Sequence, residues 1–190
     1  QDVGGDIIPA LVSQGLAHVY DFNENIVPGQ QDREHGYWRD VGTLDAYYQA
    51  NMDTIAVDPI FSYYNRSWPI FTHRPPVPPA KFVFDHEGRR GAAYESIVGA
   101  GVVISGGTAR RSIVSSDVRI HSYASVEDSI LLQGVHIGRG AVVRRAIIDK
   151  NVEVPDGVQI GVDTSADRER FTITEGGLVV IGKGDPIEPA

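Results

Sequence analysis

Four consecutive side chains, Tyr37, Trp38, Arg39 and Asp40, stand between Gly36 and Gly42, just ahead of a helix signal at Thr43. Two aromatic rings can wall a pocket of sugar size, and a carboxylate such as Asp40 suits a hard cation such as Mg2+. The plainer reading of the same residues is a buried Trp beside a structural Arg–Asp ion pair, and one carboxylate does not make a metal site. No pair of carboxylates at a telling spacing, no Ser-His-Asp arrangement and no glycine-rich phosphate loop accompanies them. Ser105-Gly106-Gly107-Thr108 comes nearest to such a loop, but a tight corner explains its glycines.

The elements that must carry these residues follow from pattern. Thr43 caps a helix over residues 44–57, with Asp45 in its first turn and Leu44, Tyr47, Tyr48, Met52 and Ile55 on one face. Upstream, Asp6 caps a short helix that ends at Gly15, with Pro9 in its first turn and Ile7, Ile8, Leu11 and Val12 as a buried face. Ala17 to Phe22 reads as a strand, and Asn23 to His35 as a loop. Between Asp58 and Ala80, six prolines impose an extended connector. Its aromatic residues predict that it packs on a folded body rather than hanging free.

From Ile97 to Gly161 apolar residues recur every six positions, as in Val114, Ile120 and Val126, or Val142, Ile148, Val154 and Ile160. Six is the period of a hexapeptide β-helix, in which three short strands make a coil of about 18 residues. The step widens between Ile104 and Val114 and between Leu132 and Val142. This predicts loops pushed out of turns, carrying Arg110, Arg111 and Arg139, and a departure from the repeat at His136.

Composition excludes several classes. There is no cysteine, hence neither a disulfide nor a thiolate metal site. The net charge of −8 argues against nucleic-acid binding. No apolar run is long enough to span a membrane, and no secretion signal is recognisable. A soluble, cytoplasmic protein is the expectation. Gln1 in place of an initiator Met reads as a piece of a longer polypeptide.

Gly36-Tyr37-Trp38-Arg39-Asp40-Val41-Gly42-Thr43, followed by Asp45-Ala46-Tyr47-Tyr48 and Ala50-Asn51-Met52-Asp53, resembles the bacterial glucose-1-phosphate adenylyltransferase family. So do Trp68-Pro69-Ile70, Pro79 to Val83, Ser96 to Gly101 and Glu175 to Val180. The resemblance implies an α+β fragment: the end of a Rossmann-like nucleotidyltransferase domain (residues 1–57), a proline-rich ordered linker (58–80) and a left-handed parallel β-helix (81–190). It implies an enzyme that, as a whole, joins ATP and glucose 1-phosphate into ADP-glucose for glycogen synthesis, with Mg2+ as cofactor. By the same resemblance Asp40 is a catalytic metal ligand, and Tyr37, Trp38 and Arg39 shape the sugar side. Lys150 and Lys183 bind small-metabolite effectors at a domain junction, and the protein is a homotetramer. The other metal ligand and the ATP loop have no counterpart in this chain, so the chain alone is expected to be inactive. Gly5 departs from the family, where Lys is common. Three alternatives remain. One is another sugar-1-phosphate nucleotidyltransferase. One is a hexapeptide-repeat acyltransferase using His121 or His136. The last is a non-catalytic assembly or regulatory subunit.

Overall fold

A computed structural model describes residues 2–73, 75–86 and 88–189. They form two compact units. The first runs through Trp38 and includes Tyr64–Pro69; the second comprises Arg39–Tyr63 and the residues from Ile70 onward.

The second unit is a parallel β-helix. One face carries Lys81–Val83, Val103–Ser105, Arg119–Ile120, His136–Ile137 and Glu153–Val154. The next carries Ala92–Tyr94, Thr108–Arg110, Ser125–Glu127, Val142–Arg144 and Gln159–Ile160. The third carries Ile97–Val98, Ile113–Val114, Ile130–Leu131, Ala146–Ile148 and Val179–Ile181. Ile104, Ala109, Val114, Ile120, Val126, Leu131, Ile137, Val143, Ile148, Val154 and Ile160 point inward and form one continuous buried column. Each coil hides its apolar residues against the next, so the core is a stack rather than a sphere.

The coil is shorter than expected. Ile113, Ile130 and Ile147 stack in register, 17 residues apart. From Ala109 onward two corners consume six residues and the third, between the second and third faces, consumes five; the corner between Ile104 and Ala109 also consumes five. The wide step from Ile104 to Val114 is therefore two five-residue steps through Ala109. Leu132 and Val142 are not the inward residues; Leu131, Ile137 and Val143 are. No loop is extruded there. Arg110 closes a strand, Arg111 makes a corner, and His136 lies in a regular strand between Arg119 and Glu153. With Ile137 turned inward, alternation leaves His136 on the outside.

The five-residue corner has its own chemistry. Arg111, Asp128 and Arg145 turn it with φ of 43°, 46° and 46°, a left-handed backbone that costs a non-glycine residue roughly 1–2 kcal/mol. Each is followed by a fully buried small residue, Ser112, Ser129 or Ala146. The Ser112 hydroxyl donates to the Arg110 carbonyl and accepts from the Ser129 N–H. Ser129 repeats this with the Glu127 carbonyl and the Ala146 N–H. The serines thus replace backbone acceptors that the tight corner removes. Arg111 also grips both Asp128 oxygens and Glu127, at 2.7–2.8 Å. At another corner Gly101, Asp117, Gly134 and Asn151 take the left-handed position, residue types that tolerate it.

The third face is apolar on both sides, because Ile113, Ile130, Ile147 and Val180 point outward. Helix α1 (Ile8–Ser13) belongs to the first unit; helix α2 (Leu44–Asp53) covers this face. Tyr48 of α2 is buried against Ile130, Ile147 and Leu178. Its hydroxyl donates to the Asp128 carbonyl at 2.7 Å, and the Arg145 guanidinium lies 5.8 Å from its ring centre. Near the start of α2, Asp45 accepts from the Thr174 hydroxyl at 2.8 Å. The helix ends at Asp53 rather than residue 57, because the N–H groups of Thr54 and Ile55 turn to the carbonyls three residues back. Helix α3 (Thr164–Arg170) follows the last coil. Its buried Asp167 accepts from the Gly161 N–H and from Arg170, both at 2.8 Å.

In the first unit, Asp2 rather than Asp6 caps the opening turn, a π-helical Val3–Ile7 that leads into α1. Residues 17–22 form no strand: no other described segment pairs with them, a lone strand leaves its backbone groups unmet, and Phe22 opens a 3-10 turn (Phe22–Glu24). Ile7, Ile8, Leu11 and Val12 are all exposed, so the face expected to be buried has no cover among the described residues. Asn65 donates to the Pro28 carbonyl and accepts from the N–H groups of Ser67 and Trp68, which ties Tyr64–Pro69 to this unit.

Candidate functional site

The four residues grouped by sequence are divided between the units. Tyr37 and Trp38 end the first stretch of one; Arg39 and Asp40 open the other. Tyr37 is half-buried, with its N–H on the Glu34 carbonyl, whereas Trp38 is 72% exposed. The buried-Trp reading therefore fails. So does the pairing of Arg39 with its neighbour, since Arg39 reaches along α2 to Asp53. Asp53 also accepts from Gln49. Sequence gave no sign of this partner, 14 residues away.

Asp40 is consequently not neutralised by Arg39. It is exposed, and its Oδ1 accepts from the Gly42 N–H at 2.9 Å, a two-residue loop that fixes the carboxylate's direction. A Cβ at Gly42 would lie 3.2 Å from that oxygen, close enough to press on the Asp40 carboxylate. Thr43 then accepts from the Ala46 N–H and starts α2. Because α2 is clamped to the β-helix, the Asp40 turn is fixed to the β-helix as well. A carboxylate held by one oxygen offers a hard donor suited to Mg2+. Among the described residues no group of three or more His, Asp or Glu side chains can hold a metal ion.

Lys150 and Lys183 are brought together although they lie 33 positions apart. Both are exposed. The Lys150 N–H donates to Asp149 Oδ1 at 2.7 Å and the Lys183 N–H to Asp149 Oδ2 at 3.3 Å. The Asp149 N–H donates to the Ile181 carbonyl. One carboxylate organises both backbones, a role that sequence reasoning missed. His121 and His136 also share a place. They line an open groove of about 800 Å³ with Arg89, Arg139, Glu153 and Asp156. Two groups, Tyr48 on α2 and Arg111 at the five-residue corner, are electrostatically shifted. Burial, then the Asp128 charge, raises the pKa of Tyr48 against the opposing Arg145 and Arg111 charges. Hydrogen bonding to Asp128 raises that of Arg111.

Residues 78–181 match the family described as "GlmU-like, C-terminal hexapeptide". This chain belongs to that family. The hexapeptide match coincides with the β-helix, and residues 1–56 match a second family, "Nucleotidyl transferase". Curated relatives extend the likeness to both parts. A glucose-1-phosphate adenylyltransferase of Parafrankia sp. (strain EAN1pec) is 57% identical over 96% of this chain and 45% of its own length. One from Anaeromyxobacter sp. (strain Fw109-5) is 55% identical over 99% of the chain and 46% of its own. One from Corynebacterium diphtheriae is 55% identical over 96% and 42%. This hexapeptide-family chain therefore spans less than half the length of the relatives it matches. No helix among the described residues is long and apolar enough to cross a membrane.

Proposed function

We propose that this chain is the C-terminal part of an enzyme that makes ADP-glucose and pyrophosphate from ATP and α-D-glucose 1-phosphate, for glycogen synthesis. The observation that carries this is the alignment of nearly the whole chain with glucose-1-phosphate adenylyltransferases, across both the nucleotidyl-transferase end and the β-helix. In that reaction a phosphate oxygen of glucose 1-phosphate attacks the α-phosphorus of ATP, and pyrophosphate leaves. When bound, Mg2+ stabilises charge on the reacting phosphates. Asp40 is one of its protein ligands, held ready by the Gly42 N–H; Tyr37, Trp38 and Arg39 belong to the sugar side. The exposed apolar face of the first unit, Ile7 to Val12, suits cover by the remainder of a nucleotidyltransferase domain.

Lys150 and Lys183 bind an anionic effector, which their shared tether on Asp149 supports. The domain division at residues 57 and 80, the cytoplasmic location and assembly into a homotetramer belong to the same proposal. The test is synthesis of ADP-glucose by the full-length protein from ATP, glucose 1-phosphate and Mg2+. Turnover only with another sugar 1-phosphate or another nucleotide would replace the substrate assignment. A second reading rests on the shared groove of His121 and His136. It makes the β-helix an acyltransferase, and binding of acetyl-CoA to the full-length protein is the measurement that would favour it.

A further inference from the structure

The groove that holds His121 and His136 also collects four charged side chains that are in no ion pair among the described residues: Arg89, Arg139, Glu153 and Asp156. Elsewhere Arg39, Arg90, Arg111 and Arg170 each hold a carboxylate. The groove, of about 800 Å³, is lined by the first face of the β-helix and by the corner that follows it. Both guanidiniums are placed without a carboxylate. That of Arg89 lies 3.4 Å from the centre of the Phe84 ring, and its Nε donates to the buried Ser122 hydroxyl at 3.1 Å. Ser122 in turn donates to the Ser105 carbonyl at 2.8 Å. The Arg139 guanidinium lies 4.6 Å from the centre of the Tyr123 ring. The terminal nitrogens of both are left for another acceptor.

The rungs set the order of charge. Ser122, which anchors Arg89, follows the strand Arg119–Ile120; Arg139 follows the next, His136–Ile137; Glu153 and Asp156 belong to the one after, Glu153–Val154. These strands pair in register, so cations occupy two successive rungs and carboxylates the third, separated by roughly 5–10 Å. Asp156 Oδ1 accepts from the Arg139 N–H at 2.7 Å, which leaves Oδ2. Between the two ends the floor is bare backbone: a Cβ at Gly138 would lie 2.6 Å from the Asp156 nitrogen.

We infer that this groove binds a small bipolar metabolite, a phosphomonoester at one end and a protonated amine at the other. The phosphate bonds to Arg89 and Arg139, with the His121 and His136 rings beside it, and the ammonium meets Glu153 and Asp156. A guanidinium fork matches phosphate oxygens, and hydrogen bonds between charged partners are roughly twice as strong as neutral ones. A ligand carrying only negative charge would set its far end against the carboxylates, and one carrying only positive charge would leave the guanidiniums unmet. Neither histidine needs to act as a base, so the inference is independent of the acyltransferase reading. Nor does it use Lys150, which lies at the other edge of the first face, between Ala146–Ile148 and Glu153–Val154.

The probe is 3-aminopropyl phosphate, titrated by calorimetry into the full-length protein, with propyl phosphate as the same anion lacking the amine. The wild type is expected to bind the aminated probe about 5-fold more tightly. Glu153→Gln removes this preference while keeping the affinity for propyl phosphate. Arg139→Gln, at an exposed and unpaired residue, weakens both probes by about 10-fold or more, the loss of one charged hydrogen bond. Arg89→Gln does the same, and Arg139→Gln serves if that variant does not fold. Lys183→Gln changes neither affinity. Equal affinity for the two probes in the wild type overturns the bipolar ligand. Binding that survives Arg139→Gln, or that Lys183→Gln abolishes, overturns the groove as its site. Vesicles of phosphatidylethanolamine at the same headgroup concentration are expected not to compete; competition by vesicles would assign the groove to a lipid headgroup and overturn the free metabolite.

Discussion

Asp40 and Arg39 look like a pair in sequence and are not one in space. Arg39 bonds to Asp53, while Asp40 is left with a single backbone N–H on one oxygen. Asp40→Asn keeps that hydrogen bond and removes the charge. In the full-length protein it is expected to lower kcat for ADP-glucose synthesis by about 100-fold or more and to raise the Mg2+ requirement. Its melting temperature should stay within about a degree of wild type, since an exposed surface substitution changes little. An unchanged rate would remove Asp40 from the chemistry. Tyr48 makes the opposite case, a buried residue whose role is mechanical. Tyr48→Phe loses the bond to the Asp128 carbonyl and should cost about 1 kcal/mol, read in a urea titration. Its pKa is raised on folding, so the folded state holds the phenol proton more tightly than the unfolded state does. The stability this confers is complete below the unfolded value near 10 and is lost as pH rises from there through the higher folded value. The wild type should therefore lose stability above pH 10 more steeply than Tyr48→Phe. Parallel curves would show that Tyr48 does not titrate differently in the two states.

At the scale of the element, the five-residue corner depends on buried serine hydrogen bonds. Ser112 and Ser129 each stand in for a backbone acceptor, and both are fully buried. Ser129→Ala strands the Ala146 N–H and should cost about 1–3 kcal/mol. Ser96, which accepts from the Ser112 N–H from a half-buried position, should cost less when changed to Ala. Thermal unfolding of the two variants tests the order; equal losses would mean that water replaces the serine ladder. The hexapeptide architecture was legible because its inward residues are large and aliphatic. The corner was misread because at its fifth position Ala109 is a weak apolar marker, and because neighbouring Leu132 and Val142 are equally apolar while facing outward. Period alone cannot tell an inward Leu131 from an outward Leu132. The double apolar steps of the third face, Ile113-Val114 and Ile130-Leu131, carried the missing clue. A strand apolar on both sides must be covered on both.

At the scale of the molecule, α2 and α3 complete a body that is otherwise a stack of open coils. α2 covers a side; α3 follows the last coil, where Asp167 meets the free N–H of Gly161 and the Arg170 guanidinium. Asp167→Ala strands the Gly161 N–H at a 1%-exposed site, while Arg170 keeps the Ala166 and Gln159 carbonyls, and should cost about 1–3 kcal/mol. Exposure of unpaired strand edges at that end should also promote association, visible as light scattering on heating ahead of wild type. Melting without either change would show that α3 is dispensable. By itself the sequence determined the stacked hexapeptide architecture and the Thr43 helix start. These depend on local spacing and side-chain type, and both are written along the chain. Only the tertiary structure decided that Arg39 belongs to Asp53, that Lys150 and Lys183 share one carboxylate, and that the Asp40 turn forms a wall of a cavity over the β-helix. Those relations join residues from 14 positions apart, Arg39 and Asp53, to 139, Val41 and Val180. They exist only because 17-residue coils bring distant rungs into register and an apolar helix must lie across them.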